Sequence, residues 1–91
     1  MITILVPGPL RTEVAGEARL SVPPVDTLGD VLGEVSRRWP RLGRRICDEQ
    51  GQLRRYVNIY IEGEECRAIS GLRTPITDGM EIQVLPSVAG G

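Results

Sequence analysis

Apolar and polar residues alternate along ITILV, so Ile2, Ile4 and Val6 share one side of the chain. That alternation predicts a half-buried strand over Ile2 to Val6, broken by Pro7-Gly8-Pro9. After a loop around Gly16, ARLSV puts Leu20 and Val22 on one side and predicts a second strand, paired with the first as a hairpin. The period then lengthens to about 3.6 residues. Leu28, Val31, Leu32, Val35 and Trp39 form one helical stripe. Thr27 stands where an N-cap belongs, and Asp30 three residues on completes a capping box. Acidic residues open this helix and Arg37 and Arg38 close it, as the helix dipole favours. Pro40 reads as its stop.

Residues 41–52 read as a loop, with Leu42 and Ile46 as anchors. In RYVNIYI, Val57, Ile59 and Ile61 alternate with Tyr56, Asn58 and Tyr60, the mark of a strand. A turn near Gly63 leads to a short strand, ECRAI, followed by irregular chain and a turn at Asp78-Gly79. MEIQVL is the last strand, with Met80, Ile82 and Val84 facing inward. One amphipathic helix must cover one face of one sheet. The first and last strands are the most apolar and are expected side by side at its centre. The fold class is therefore α+β, a β-grasp (ubiquitin-like) domain: a mixed sheet of four to five strands packed on one main helix. The domain is expected to span residues 1–86, with 87–91 as a flexible Gly-Gly tail. At ~3.3–3.6 Å per residue, those five residues reach about 17 Å.

Composition narrows the function mainly by exclusion. The opening MITILV lacks the basic flank of a signal peptide, and no apolar run approaches the ~20 residues that cross a bilayer. A cytoplasmic protein without a membrane partner is expected. A net charge of −1 and three aromatic residues argue against a nucleic-acid partner. With no His and two Cys, the chain lacks Cys/His zinc sites, His-based triads and the four ligands of a two-iron cluster. Cys47 in a loop and Cys66 in a strand read as structural or incidental. All eleven basic residues are Arg. Either coding bias or the avoidance of amines near an activated acyl group explains that choice. The run RRWPRLGRR reads as a solvated helix end or as a docking surface for an acidic partner. Leu5, Tyr60 and Leu85 fall out of phase with the core positions and form a candidate partner-binding patch.

No nucleophile within the domain has a base beside it, so no catalytic set is expected. The reactive group the architecture presents is the carboxylate of Gly91. With an ordinary pKa of about 3.3–3.7 it is an anion at pH 7 and a poor electrophile. A partner must activate it, most simply as an acyl-adenylate from ATP. Sulfide or a persulfide can then displace AMP and leave a thiocarboxylate. Gly90 and Gly91, lacking Cβ atoms, suit a narrow channel, and Ala89 keeps the approach slim. Ala89, Gly90 and Gly91 are thus the expected recognition element.

The stretches DTLGDVLGEV, YVNIYIEGEECR and DGMEIQVLPSVAGG, taken in order, resemble the ubiquitin-like sulfur carriers of the ThiS/MoaD family. The long segment before RYVNIYI looks most like the branch serving cysteine biosynthesis. Met80 departs from the acidic residue many members carry after the Asp-Gly turn. The resemblance implies that Gly91 bears the thiocarboxylate, with no cofactor bound by this chain. It implies an adenylating partner of the ThiF/MoeB type using ATP, a sulfur donor such as a rhodanese, and an acceptor enzyme. In the cysteine route that acceptor is a pyridoxal-phosphate sulfhydrylase; thiazole, molybdopterin and sulfur-containing natural products are the other destinations. The alternative is a protein modifier joined through Gly91 to lysines.

Overall fold

In the computed structural model, which describes residues 1–86, the first and last strands lie side by side. β1 (Ile2–Leu5) runs parallel to β5 (Glu81–Pro86), with Ile4 opposite Ile82. Antiparallel β2 (Arg19–Val22) pairs on the far edge of β1, and antiparallel β3 (Val57–Ile61) pairs with β5. The two-residue β4 (Glu64–Glu65) completes a mixed sheet in the order β2-β1-β5-β3-β4. This is the expected β-grasp. Residues 87–91, assigned from the sequence to a tail, lie outside the described residues.

The alternation puts Ile2, Ile4, Ile59 and Ile82 on the inner face, all fully buried. α1 (Leu28–Arg38) lays Leu28, Val31, Leu32 and Val35 against them. Its start is fixed by the expected capping box: Asp30 N–H donates to Thr27 Oγ1 at 3.2 Å, and Thr27 N–H to Asp30 Oδ2 at 3.3 Å. Such caps stabilise a helix by about 1 kcal/mol. Among the described residues, no helix packs on the other face of the sheet.

Three local expectations require correction. Pro40 does end α1, but it also begins a second helix, α2 (Pro40–Ile46), where a loop was expected. The ring disfavours helical geometry at the residue before it, and Trp39 accordingly turns out at φ −132°, ψ 73°. The same ring suits the first turn of the next helix, where its missing N–H costs nothing. Leu42 and Ile46, one turn apart, are the buried anchors. Second, the chain between Pro7 and Gly16 is a 3-10 helix over Gly8–Val14 that buries Leu10 and Val14. Third, ECRAI is not a strand beyond Glu65. The Glu65 carboxylate accepts from Arg67 N–H and caps a 3-10 turn over Cys66–Ala68. Cys66 thus enters the core from a turn, fully buried.

The two helices meet closely at one point. A Cβ built on Gly43 would stand 2.5 Å from Ser36 Oγ and 2.7 Å from Ser36 Cα. Backbone on the far side leaves little room to yield, so α2 would have to lift off α1. Gly43→Ala is therefore expected to lower unfolding free energy by about 1–3 kcal/mol, the usual effect of overpacking. Urea unfolding checks this, and an unchanged midpoint would contradict the close approach.

Candidate functional site

The position of β5 decides the point beyond which residues 87–91 follow. With β1 on one side and β3 on the other, β5 runs up the interior of the sheet and finishes at Pro86, opposite Val57. Gly91, Gly90 and Ala89, the residues expected to carry and present the chemistry, lie outside the described residues. What the structure places is the surface around their root.

Leu5, Tyr60 and Leu85 all sit half-buried on the uncovered face of the sheet. Their register was not readable from the sequence. Leu5 and Tyr60 both stand opposite Gln83, one from each side, so an exposed glutamine separates them. Leu85 lies two residues further along β5, opposite Asn58. Leu5 and Leu85 meet with Arg11 and Gln83 in a surface depression of about 310 Å³ beside the end of β5. Tyr60 does not line it. The patch is thus a pair of leucines at the strand's exit, with the tyrosine set apart on the sheet. Arg19 crosses the same face to within 3.6 Å of Glu81, and both are exposed. Ion pairs of that kind contribute about 0–1 kcal/mol.

The arginine run divides in the folded chain. Arg37 and Arg38 turn back on Glu34, at 2.9 and 3.2 Å. The hydrogen bond from Arg37, reinforced by its charge, holds the Glu34 carboxyl below its ordinary range. Arg41 and Arg45 share Glu13, at 3.1 and 3.2 Å. Arg44 and Arg45 flank a second depression of about 320 Å³, together with Arg54, Tyr56 and Pro86. The sequence run foreshadowed the first two of these residues. Arg54 arrives from outside the run, and no local signal joined it to them.

Neither thiol is prepared for chemistry. Both cysteines are free. Burial is the leading cause that pushes the Cys66 thiol up, followed by the charge of Glu65. Burial likewise leads for Cys47, with Asp48 adding to it. A raised pKa means less thiolate at pH 7, hence less nucleophile. Among the described residues no group of three His, Cys, Asp or Glu is arranged to hold a metal. No helix among them is long and apolar enough to cross a membrane.

A sequence profile of the ThiS family matches residues 4–91. The chain belongs to the ThiS family. It is 37% identical over 92 residues to the sulfur carrier protein CysO of Mycobacterium tuberculosis, covering 99% of this chain and 98% of that protein. A chain in the crystal structure of the Amycolatopsis orientalis BexX/CysO complex superimposes with a TM-score of 0.89, 31% identity and complete coverage of both. Small archaeal modifier protein 3 of Haloferax volcanii is 35% identical over 65 residues, 71% of this chain and 70% of that protein. The β-grasp read from the hydrophobic pattern is thus the architecture of these relatives as well.

The thiol assignment has a pH signature. A free cysteine titrates near pH 8.5, and its alkylation rate levels off above that value. In the native protein the Cys47 rate should start below that of a free thiol at pH 7 and still climb beyond pH ~8.5. Cys66 should stay unreactive until the chain unfolds. Iodoacetamide labelling followed by mass spectrometry measures both, and a plateau at or below the ordinary pKa would contradict the assignment.

Proposed function

We propose that this chain is a sulfur carrier whose reactive group is the Gly91 carboxylate. The observation that carries the reading is its 37% identity, over 99% of its length, to a protein named as a sulfur carrier. The domain itself performs no catalysis. It presents a carboxylate, and enzymes act on it.

The chemistry is acyl activation. Gly91 carboxylate oxygen attacks the α-phosphorus of ATP on a ThiF/MoeB-type enzyme, and pyrophosphate leaves. Hydrosulfide then attacks the acyl carbon, and AMP departs with the electron pair of the broken C–O bond. The product is a thiocarboxylate, whose sulfur passes to an acceptor enzyme. A rhodanese can replace hydrosulfide: its persulfide attacks the acyl carbon and expels AMP. A second thiol then attacks the rhodanese sulfur of the acyl disulfide, releasing the thiocarboxylate and leaving a disulfide. The use of ATP places the reaction in the cytoplasm. The raised thiol pKa of Cys47 and Cys66 supports a route that bypasses both. The half-buried Leu5 and Leu85 beside the strand's exit are the contact surface for the activating enzyme, with Tyr60 a more distant contributor.

A second reading, conjugation of Gly91 to lysines of other proteins, draws on the likeness to a protein named as a small archaeal modifier. Both begin with the same adenylate. They diverge in product: an intact thiocarboxylate for the carrier, isopeptide-linked species for the modifier.

Two sets of variants test the proposal. Deleting Gly91 retracts the carboxylate by about 3.5 Å, and a misplacement of even 1 Å can cost about 100-fold in rate. The deletion should therefore abolish the oxygen-to-sulfur mass gain with partner, ATP and sulfide, and Gly90→Val should be nearly as severe. Neither should change unfolding free energy. Sulfur uptake by the deletion variant at the full rate would remove Gly91 from the mechanism. Leu85→Asp should weaken binding to the activating enzyme with an unchanged circular dichroism spectrum. Unaltered affinity by calorimetry would rule out the leucine contact.

A further inference from the structure

The charge of the chain is balanced overall but divided in space. β1 and β5 finish at the end of the sheet where β2 and β3 begin. Arg44, Arg45 and Arg54 gather at that end beside Pro86. Glu62, Glu64, Asp78 and Glu81 lie at the other, around the start of β5 and the turn after β3. A net charge of −1 therefore conceals a basic face at the root of the tail.

That face is built. Arg54 N–H donates to Ile46 O at 3.0 Å, and its Nε donates to Arg44 O at 2.8 Å. The guanidinium is thus held across the end of α2, next to the two arginines of the helix's last turn. Arg67 donates in turn to Arg54 O at 3.0 Å and steadies the segment from behind. Glu13, shared by Arg41 and Arg45, is the one carboxylate paired with this group, and among the described residues Arg44 and Arg54 have no acidic partner. Between them the surface is apolar: Leu10 and Val57 form the floor, and Tyr56 stands 57% exposed at the edge. Arginine and tyrosine over an apolar floor are what protein interfaces concentrate at their centres.

We propose that this arginine face docks on an acidic protein surface at the mouth of the adenylating enzyme's active site. The inference rests on the carrier reading and adds the partner's chemistry to it. Its argument is one of reach and sign. Residues 87–91 span at most about 17 Å. Any enzyme that encloses Gly91 must therefore stand over the surface around Pro86. Carboxylates at the rim of such a channel meet three guanidinium groups, of which Arg45 alone is paired with a glutamate, Glu13. Charges so placed steer encounter and fix orientation, raising the association rate more than they alter the bound reaction. Carboxylates and phosphates are both recognised by guanidinium, but the reacting nucleotide sits at the far end of the tail. The rim is the nearer source.

Sulfur loading by the ThiF/MoeB-type enzyme of the same organism, followed by intact mass, tests this with three forms of the carrier. For the wild type, kcat/KM should fall as salt is raised. Arg44→Glu with Arg54→Glu should raise the carrier's KM about tenfold or more, hold kcat at saturation within about twofold, and flatten the salt dependence. Arg37→Glu with Arg38→Glu makes the same change of charge at the end of α1 and should leave KM unaltered. Should the Glu pair disturb folding by circular dichroism, Arg44→Gln with Arg54→Gln carries the test, with a smaller rise in KM expected. An unchanged KM in a folded Arg44/Arg54 variant overturns the proposal. So does calorimetric binding of ATP to the isolated wild-type carrier that the variant loses, since the face would then be a phosphate site. If the wild type itself gains no sulfur, the carrier reading fails and the docking proposal falls with it.

Discussion

The parallel pairing of β1 with β5 is the constraint on which the rest of the molecule depends. Parallel neighbours cannot be joined by a tight turn and require a crossover. Here nearly the whole chain serves as that crossover, leaving β1 near the start and returning at Glu81. α1 and α2 both pack on the core face of the sheet, and among the described residues no helix covers the other face. The pairing also puts β5 between two strands: β1 holds its first half, as far as Gln83, and β3 runs beside it to Pro86. A strand anchored in that way can pass force and position to whatever follows it without loosening the domain.

Much of this was legible because burial has a simple period. Ile2 with Ile4, Val57 with Ile59 and Ile61, and Ile82 with Val84 each alternate against polar neighbours, and every one faces the core. The helical stripe from Leu28 to Val35 was equally plain, and Thr27 with Asp30 marked its start. Pro40 was harder, because one property of proline has two uses. Its ring ends one helix and suits the beginning of another, and the residues that decide between them, Leu42 and Ile46, are buried by tertiary contact. The ECRAI segment was misread because a side chain overrode a propensity: Glu65 caps a turn that its apolar neighbours alone would not predict.

The surface was legible in parity but not in register. Leu5, Tyr60 and Leu85 were recognisable as outward-facing, yet only pairing with Gln83 and Asn58 separates the tyrosine from the leucines. The basic face was least legible of all. Arg44 and Arg45 are neighbours in sequence, but Arg54 joins them through hydrogen bonds to the end of α2. Long-range assembly of that kind leaves no periodic trace.

A division of labour follows from these features. The domain keeps its own nucleophiles quiet, with Cys66 fully buried and both thiols shifted away from the reactive thiolate. In the proposed function, the surface around Pro86 identifies the domain to its partners and the chemistry is delegated to the Gly91 carboxylate. The most direct test is the location of sulfur in protein isolated from its own cells. Fragmentation of the C-terminal peptide by tandem mass spectrometry should find the extra sulfur on the Gly91 carboxyl carbon, with Cys47 and Cys66 unmodified. Sulfur found as a persulfide on either cysteine, with an ordinary carboxylate at Gly91, would contradict the account.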